Sequence, residues 1–489
     1  MNRFLPLLLL SLILSACRAA SLAPPDPLAR YRPAFHAAAV PASVDTAAMP
    51  RYDITMRVDM AQRQVEGLAR IHFRNLSGRP LNDVYVRLYP NLEQLVGGMR
   101  LTRAVTLPEQ YAVGYAFILQ NTAARITLTQ PLPPDADLDL ELGYEINAPA
   151  RQGYVLFGES EGILSLPYSY PILAAQTRDP TNPWRLEIPP AHGDIAIADP
   201  AFYAVTVTLP SDVTLISTGV TISVTQPLSD TVDHLIVAGP AREWGLILSR
   251  DYQVSRVEVD GTRVNSYYLP ADRVAGEAAL RYAAGALRVY NRLFAPYPYT
   301  ELDVVAAPTR YLGMEYPGLN YIGLDTYRGQ QESQEWLVAH EVSHQWWYEM
   351  VGSDPFRWPW LDEGLAEHSS LLYIANLYGQ AQVERIRFLR WRVPTEWAAG
   401  HDLDDKVGQE VTAFTAGNYE TLVYAKSALF FDALYEAMGR EAYLRVLQTL
   451  IERYRYRTPT PEDFLALVVE VGGFDPTPLY EQWILSGGE

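Results

Sequence analysis

Cysteine is almost absent from this chain. Cys17 is the only one in 489 residues, so no intrachain disulfide can form and the fold must rest on its apolar cores. Histidine is scarce as well, at eight, which gives weight to any pair of histidines at ligand spacing. No cluster of Lys and Arg stands out against a net charge of -18, and without a basic face a phosphate backbone cannot be neutralised, which excludes nucleic acid as a partner. Past the first twenty residues no apolar run is long enough to cross a membrane. What is present in quantity is hydrophobic residue, 48% of the chain, enough for two or three domains with sizeable cores.

The N-terminus reads as a targeting segment. Arg3 gives a short basic start, Leu5 to Leu14 is an apolar run too short for a mature span, and Leu14-Ser15-Ala16-Cys17 follows. The tetrapeptide resembles the bacterial lipobox. That resemblance implies a signal peptide over 1–16, a lipid on Cys17 and an extracytoplasmic protein anchored to a bacterial membrane. An ordinary secretory cut at Ala19 or Ala20 is the competing reading. From there to about residue 50 Ala, Pro and Ser dominate, and the composition predicts a flexible tether over 17–50.

At Tyr52 the texture changes to short alternating runs (YDITMRVDM, ARIHFRN, LDLELGYEI, YAVTVTLP) separated by Asn, Gly and Pro. Period-two patterning of this kind predicts an antiparallel β domain over 51–249. After Val264 the spacing shifts to three and four, first in GEAALRYAAGALRVYNRLF and later in TLVYAKSALFFDALYEAM and EAYLRVLQTLIERY. Residues 250–489 therefore read as a mixed α+β domain whose second lobe is mainly helical. Thr460-Pro461-Glu462-Asp463 supplies an N-cap, a first-turn proline and first-turn acids for one of the last helices.

The chemistry sits in HEVSHQWWYEMVG, His340 to Gly352. On a helix His340 and His344 leave the same face one turn apart and can share one metal ion. Glu341, beside the first histidine, is placed to take a proton from water activated by that ion rather than to ligate it. A third ligand must come from elsewhere, and WLDEGLAEH offers Glu363. Glu367, one turn further on the same face, can accept the spare N–H of a ligand histidine. Trp346, Trp347 and His368 read as packing residues.

Together these residues resemble the aminopeptidase N family of gluzincin metallopeptidases, which includes leukotriene hydrolase. The family pattern H-E-x-x-H, eighteen residues, then Glu is matched by His340, Glu341, His344 and Glu363 without a gap. Gly313-Met314-Glu315-Tyr316-Pro317-Gly318 resembles its GAMEN-like exopeptidase signature. The resemblance covers roughly residues 50 to 485. It implies a saddle-like β domain, a thermolysin-like catalytic domain and one zinc ion on His340, His344 and Glu363. It further implies that Glu315 pairs with the α-amino group of a peptide substrate, with Gly313 and Met314 lining the same subsite. Tyr424, in Tyr424-Ala425-Lys426-Ser427, resembles the family's oxyanion donor, with Tyr419 as the alternative.

Three departures stand out. LPYSYPILAAQTRDPTNPW replaces the family's Pro-Cys-x-Asp-Glu-Pro stretch, so β-domain contacts do not carry over. Tyr316-Pro317 stands where many relatives have Asn-Trp. The large C-terminal helical domain of many relatives is not expected, which leaves the cleft open or covered by another subunit. The leading expectation is a membrane-tethered zinc aminopeptidase acting on peptides, with no oligomeric state implied. A thermolysin-like endopeptidase, or a non-catalytic peptide-binding lipoprotein on this scaffold, are the alternatives.

Overall fold

The computed structural model describes residues 26–487 apart from 152–155, 178, 180, 191, 227, 229, 310 and 311, so Cys17 and the signal segment lie outside the described residues. Period-two patterning produces strands. In Arg51–Asp59, Tyr52, Ile54, Met56 and Val58 are buried and the residues between them are not. This strand lies inside an eight-stranded sheet, between Gln64–Arg74 and Ala201–Pro210. The pairing with Ala201–Pro210 is parallel, Tyr52 facing Tyr203 and Met56 facing Val207. The other pairings in this sheet are antiparallel. The expected antiparallel domain therefore contains one parallel pair. Alternation in a sequence reports burial but not direction, and the long excursion between the two strands supplies the crossover that a parallel pair requires. Two four-stranded sheets complete this region, whose last strand is Gly245–Ser249.

The next strand, Gln253–Val259, opens a five-stranded mixed sheet that continues through Thr262–Tyr268, Glu301–Ala307 and Leu319–Gly323 to Gly313–Tyr316 at its edge. The helix Arg273–Leu293 buries Ala279, Ala283, Ala286, Leu287 and Tyr290, the three- and four-residue spacing read from the sequence. Tyr290 donates its hydroxyl to the Ala339 carbonyl at 2.9 Å, tying this helix to the one that carries the histidines. The mainly helical lobe follows, including Trp360–Tyr378, Ser427–Met438 and Arg440–Tyr454. Pro461–Glu470 begins with the expected capping box, Thr460 and Asp463 bonding each other's backbone N–H. Buried apolar residues of both halves form one continuous core.

The tether expected over 17–50 is not free along its described part. Leu28, Tyr31 and Phe35 are buried, and Tyr31 packs against Phe202 with ring centroids 5.0 Å apart. The same segment bonds to the second half of the chain: the His36 N–H donates to the Pro298 carbonyl at 2.9 Å and the Thr300 N–H to the Ala34 carbonyl at 3.1 Å. Composition averaged over thirty letters hides two aromatics four residues apart, and these are sufficient to anchor it.

Candidate active site

Two helix ends meet at the site. The helix Gln331–Ser343 carries His340 in its last turn, with His344 as its capping residue in helical conformation. The helix Trp360–Tyr378 begins nearby and carries Glu363 in its first turn. His340 Nε2 lies 3.1 Å from His344 Nε2 and 3.2 Å from Glu363 Oε2, and His344 Nε2 lies 3.4 Å from the same oxygen. All three residues are buried.

The outer nitrogens say which lone pairs point inward. His344 Nδ1 faces the Trp347 carbonyl at 3.0 Å, and Glu367 Oε1 is the nearest anion to His340 Nδ1 at 3.5 Å, an arrangement that suits a proton on each Nδ1 and a lone pair on each Nε2. Two acceptor nitrogens and a carboxylate oxygen thus converge with no donor between them. Their separations are close to the roughly 3.3 Å that bonds of 2.0–2.1 Å span at a tetrahedral ion. The set fits one zinc ion. A proton competes for the same place. Burial works against a charge on His344, but Glu315 and Glu363 outweigh it and raise the imidazole's proton affinity well above the ordinary value. Burial alone would raise Glu363, yet hydrogen bonds and charge from the two imidazoles hold it well below the carboxylate range.

Glu341 is 4% exposed and its carboxylate rests on the backbone of Gly313. A Cβ at that glycine would stand 2.0 Å from Glu341 Oε1, so no other residue fits there without moving the glutamate. Glu315, two residues along the same edge strand, is 7% exposed and lies close enough for its charge to act on Glu341. Burial first, and then the Glu315 charge, push the Glu341 carboxyl well above its ordinary value. Met314 is half-buried beside them. Gln345, immediately after His344, fixes this hairpin to the ligand helix. Its Nε2 donates to the Tyr316 carbonyl and to Asn320 Oδ1, each at 3.1 Å, and its Oε1 accepts the Gly318 N–H at 2.8 Å. Nothing in the sequence distinguished this glutamine from any polar helix residue.

Tyr424 lies on a π-helical turn, Thr421–Lys426, and its hydroxyl donates to Glu363 Oε1 at 2.6 Å. Burial, followed by the Glu363 charge, raises its pKa well above that of a free phenol, so it keeps its proton. Tyr419 lies behind it, with ring centroids 6.1 Å apart, and packs against Gly193 and His192 of the β region. His192 Nε2 meets the Val411 carbonyl at 3.1 Å, so this β-region loop reaches the helical lobe. Asp194 on the same loop was not anticipated. Burial first, and then the charges of Glu315, Glu363 and Asp362, raise its pKa well above the ordinary value, and it makes no ion pair among the described residues. No motif marks this position; only the loop's path brings it here.

Glu367 occupies the place expected of it, behind His340. His368 points away from the ligands and bonds the Tyr443 hydroxyl through Nδ1 at 2.9 Å. Trp346 and Trp347 are buried, donating to the Ala295 carbonyl and to Ser369 Oγ, each at 2.8 Å.

Residues 278–483 match the peptidase family M1 domain. Aminopeptidase M1-A of Oryza sativa subsp. japonica is 28% identical over 264 residues, 49% of this chain and 28% of that protein. Endoplasmic reticulum aminopeptidase 1 of Rattus norvegicus is 24% identical over 248 residues, 47% of this chain and 26% of that protein. The chain thus spans little more than a quarter of the length of these curated relatives. Among solved structures, the M1 zinc metallopeptidase of Deinococcus radiodurans superposes with a TM-score of 0.66 at 20% identity, over 89% of this chain and 93% of that one. A mutant of the same protein bound to a Tyr-Ser-Ala substrate gives 0.62 at 19% identity, again over 89% and 93%.

Proposed function

Because this chain belongs to peptidase family M1, we propose that it is a zinc-dependent aminopeptidase, removing N-terminal residues from peptides that carry a free α-amino group. The observation that carries the exopeptidase part is the placement of Glu315. Its buried carboxylate adjoins Glu341, on an edge strand tied by Gln345 to the ligand helix. A zinc ion on His340, His344 and Glu363 would polarise the scissile carbonyl and acidify water near neutral pH. The remaining work falls to the chain. Glu341 takes the proton of the attacking water and passes it to the leaving amine. Glu315, with the Asp194 charge near it, receives the α-ammonium group and so fixes the scissile bond one residue from the N-terminus. The free side of Gly313–Tyr316 can pair with an extended substrate as an added strand. Tyr424, a retained donor, turns from Glu363 to the developing oxyanion.

The test compares a peptide with its N-acetylated form. The free peptide should be cleaved and the blocked one resist, and Glu315→Gln should lower turnover of the free peptide while zinc is kept. Equal cleavage of both would replace the aminopeptidase reading with an endopeptidase one. The location belongs to the same proposal: a lipid on Cys17 holds the enzyme on the extracytoplasmic side of a bacterial membrane. The supporting feature is that the sole cysteine follows Leu-Ser-Ala at the end of a short apolar run. Cys17→Ser protein should appear in the soluble extracytoplasmic fraction, and retention on membranes would count against the anchor.

A further inference from the structure

Glu367 is the most fully supplied carboxylate in the site, and its donors come from separate elements. Its Oε1 accepts the indole N–H of Trp336 at 3.1 Å and the Arg390 guanidinium at 3.1 Å, and lies 3.5 Å from His340 Nδ1. Its Oε2 accepts the indole N–H of Trp391 at 2.8 Å. A carboxylate offers about four lone-pair positions, and here Oε1 has three donors around it and Oε2 one. Trp336 stands one helical turn before His340 on the same helix. Arg390 and Trp391 are consecutive on a π-helical turn, Arg387–Arg392, a widened turn of the kind found at functional sites. That turn is itself fastened: Arg387 donates to Asp432 at 2.7 and 3.0 Å and to Glu384 at 2.8 Å. The Arg390 guanidinium also lies over the Trp336 ring, 4.7 Å from its centroid.

We propose that Trp336, Arg390 and Trp391 act as a positioning clamp that sets the affinity of the metal site through Glu367. His340 Nδ1 has no acceptor within full hydrogen-bond distance, and Glu367 is its nearest anion. A glutamate side chain has three rotatable bonds, and one held by a single weak contact to imidazole would drift. The two indoles and the guanidinium remove that freedom, so Glu367 stays where it holds the His340 proton on Nδ1 and leaves the Nε2 lone pair for the ion. Arg390 also supplies the positive charge that a carboxylate only 4% exposed needs, while its own side chain is 43% exposed and reaches solvent. None of the three clamp residues belongs to the set that would hold the ion.

The inference rests on the zinc reading of the site, and the test separates the two. Zinc affinity is measured by chelator competition on the whole chain for Arg390→Met, Arg390→Lys, Glu367→Gln and the Arg390→Met/Glu367→Gln double variant, with His340→Ala as reference. Loss of a partner to a ligand histidine weakens metal binding by about 10–100-fold. Arg390→Met should fall by about 10-fold, at the low end of that range, with Arg390→Lys recovering most of the loss. The double variant should bind no more weakly than Glu367→Gln alone, since Arg390 acts only through that carboxylate. Parental affinity in Arg390→Met, or losses that multiply in the double variant, would overturn the clamp. If His340→Ala kept parental affinity, the zinc reading itself would fail. Should Arg390→Met melt early without zinc, Trp391→Phe, which keeps a ring and loses the N–H, is judged by the same affinity criterion.

Discussion

Two sets of carboxylates flank the same pair of imidazoles and live by opposite rules. Glu363 and Glu367 are buried yet held below the ordinary carboxylate range, because imidazoles, indoles and Arg390 give them more than burial takes away. Glu341, Glu315 and Asp194 are raised above it, by burial first and then by carboxylate neighbours. On the proposed reading the first set stays anionic and serves as scaffold for a metal ion. The second is short of positive partners and therefore ready for one that arrives, whether a proton from water or the ammonium group of a substrate. The difference between holding a metal and turning over a peptide is thus written in who donates to each carboxylate.

Glu363→Ala should produce the largest change, with zinc content at background and hydrolysis lost with it, as metal analysis beside a peptide assay would show. A variant that kept one equivalent of zinc would erase the distinction between the sets. Glu341→Gln should do the reverse: full zinc content and a turnover about 10²–10⁴-fold lower, read as kcat at equal metal loading. Tyr424→Phe touches both sets, since its hydroxyl bonds Glu363 and, on the proposed reading, serves the oxyanion. We expect zinc to be retained and kcat to fall about 10²–10³-fold, and zinc loss instead would move Tyr424 to the scaffold set.

The smallest effect lies outside the ligands. Glu243, bonded by Tyr348, is pushed from the ordinary 4.5 to about 7, chiefly by burial. A carboxyl raised on folding contributes stability that is complete below pH 4.5 and is lost as pH rises through about 7. Glu243→Gln should therefore flatten the decline in unfolding free energy between pH 5 and pH 8, by on the order of 3 kcal/mol at most, as urea titrations at the two pH values would register.

Much of this was legible because two kinds of information are local. His340, Glu341, His344 and Glu363 follow from helical spacing and one fixed interval, and the strands and helices from periods of two and 3.6. What escaped is set by chain path. Asp194 reaches the site because a β-region loop crosses to the helical lobe, and Gln345 matters because a hairpin thirty residues upstream folds onto it. Arg390 and Trp391 lie in the run RFLRWR, where no spacing marks either residue and only the π-helical turn brings both to Glu367. The parallel strand pair and the anchored N-terminal segment have the same cause: neither direction nor docking is encoded in a burial pattern.

That N-terminal segment has a consequence for the order in which the molecule is made. Ala34 and His36 bond to residues near 300, and Arg455 reaches the Ala39 carbonyl at 3.4 Å. A growing chain emerges N-terminus first, so these residues must wait for more than four hundred others before their last partner exists. Contacts spanning such sequence distances form slowly. Among the earliest described residues to leave the ribosome, they are among the last to be seated, and until then the seam they cover stands open to a chaperone or a protease.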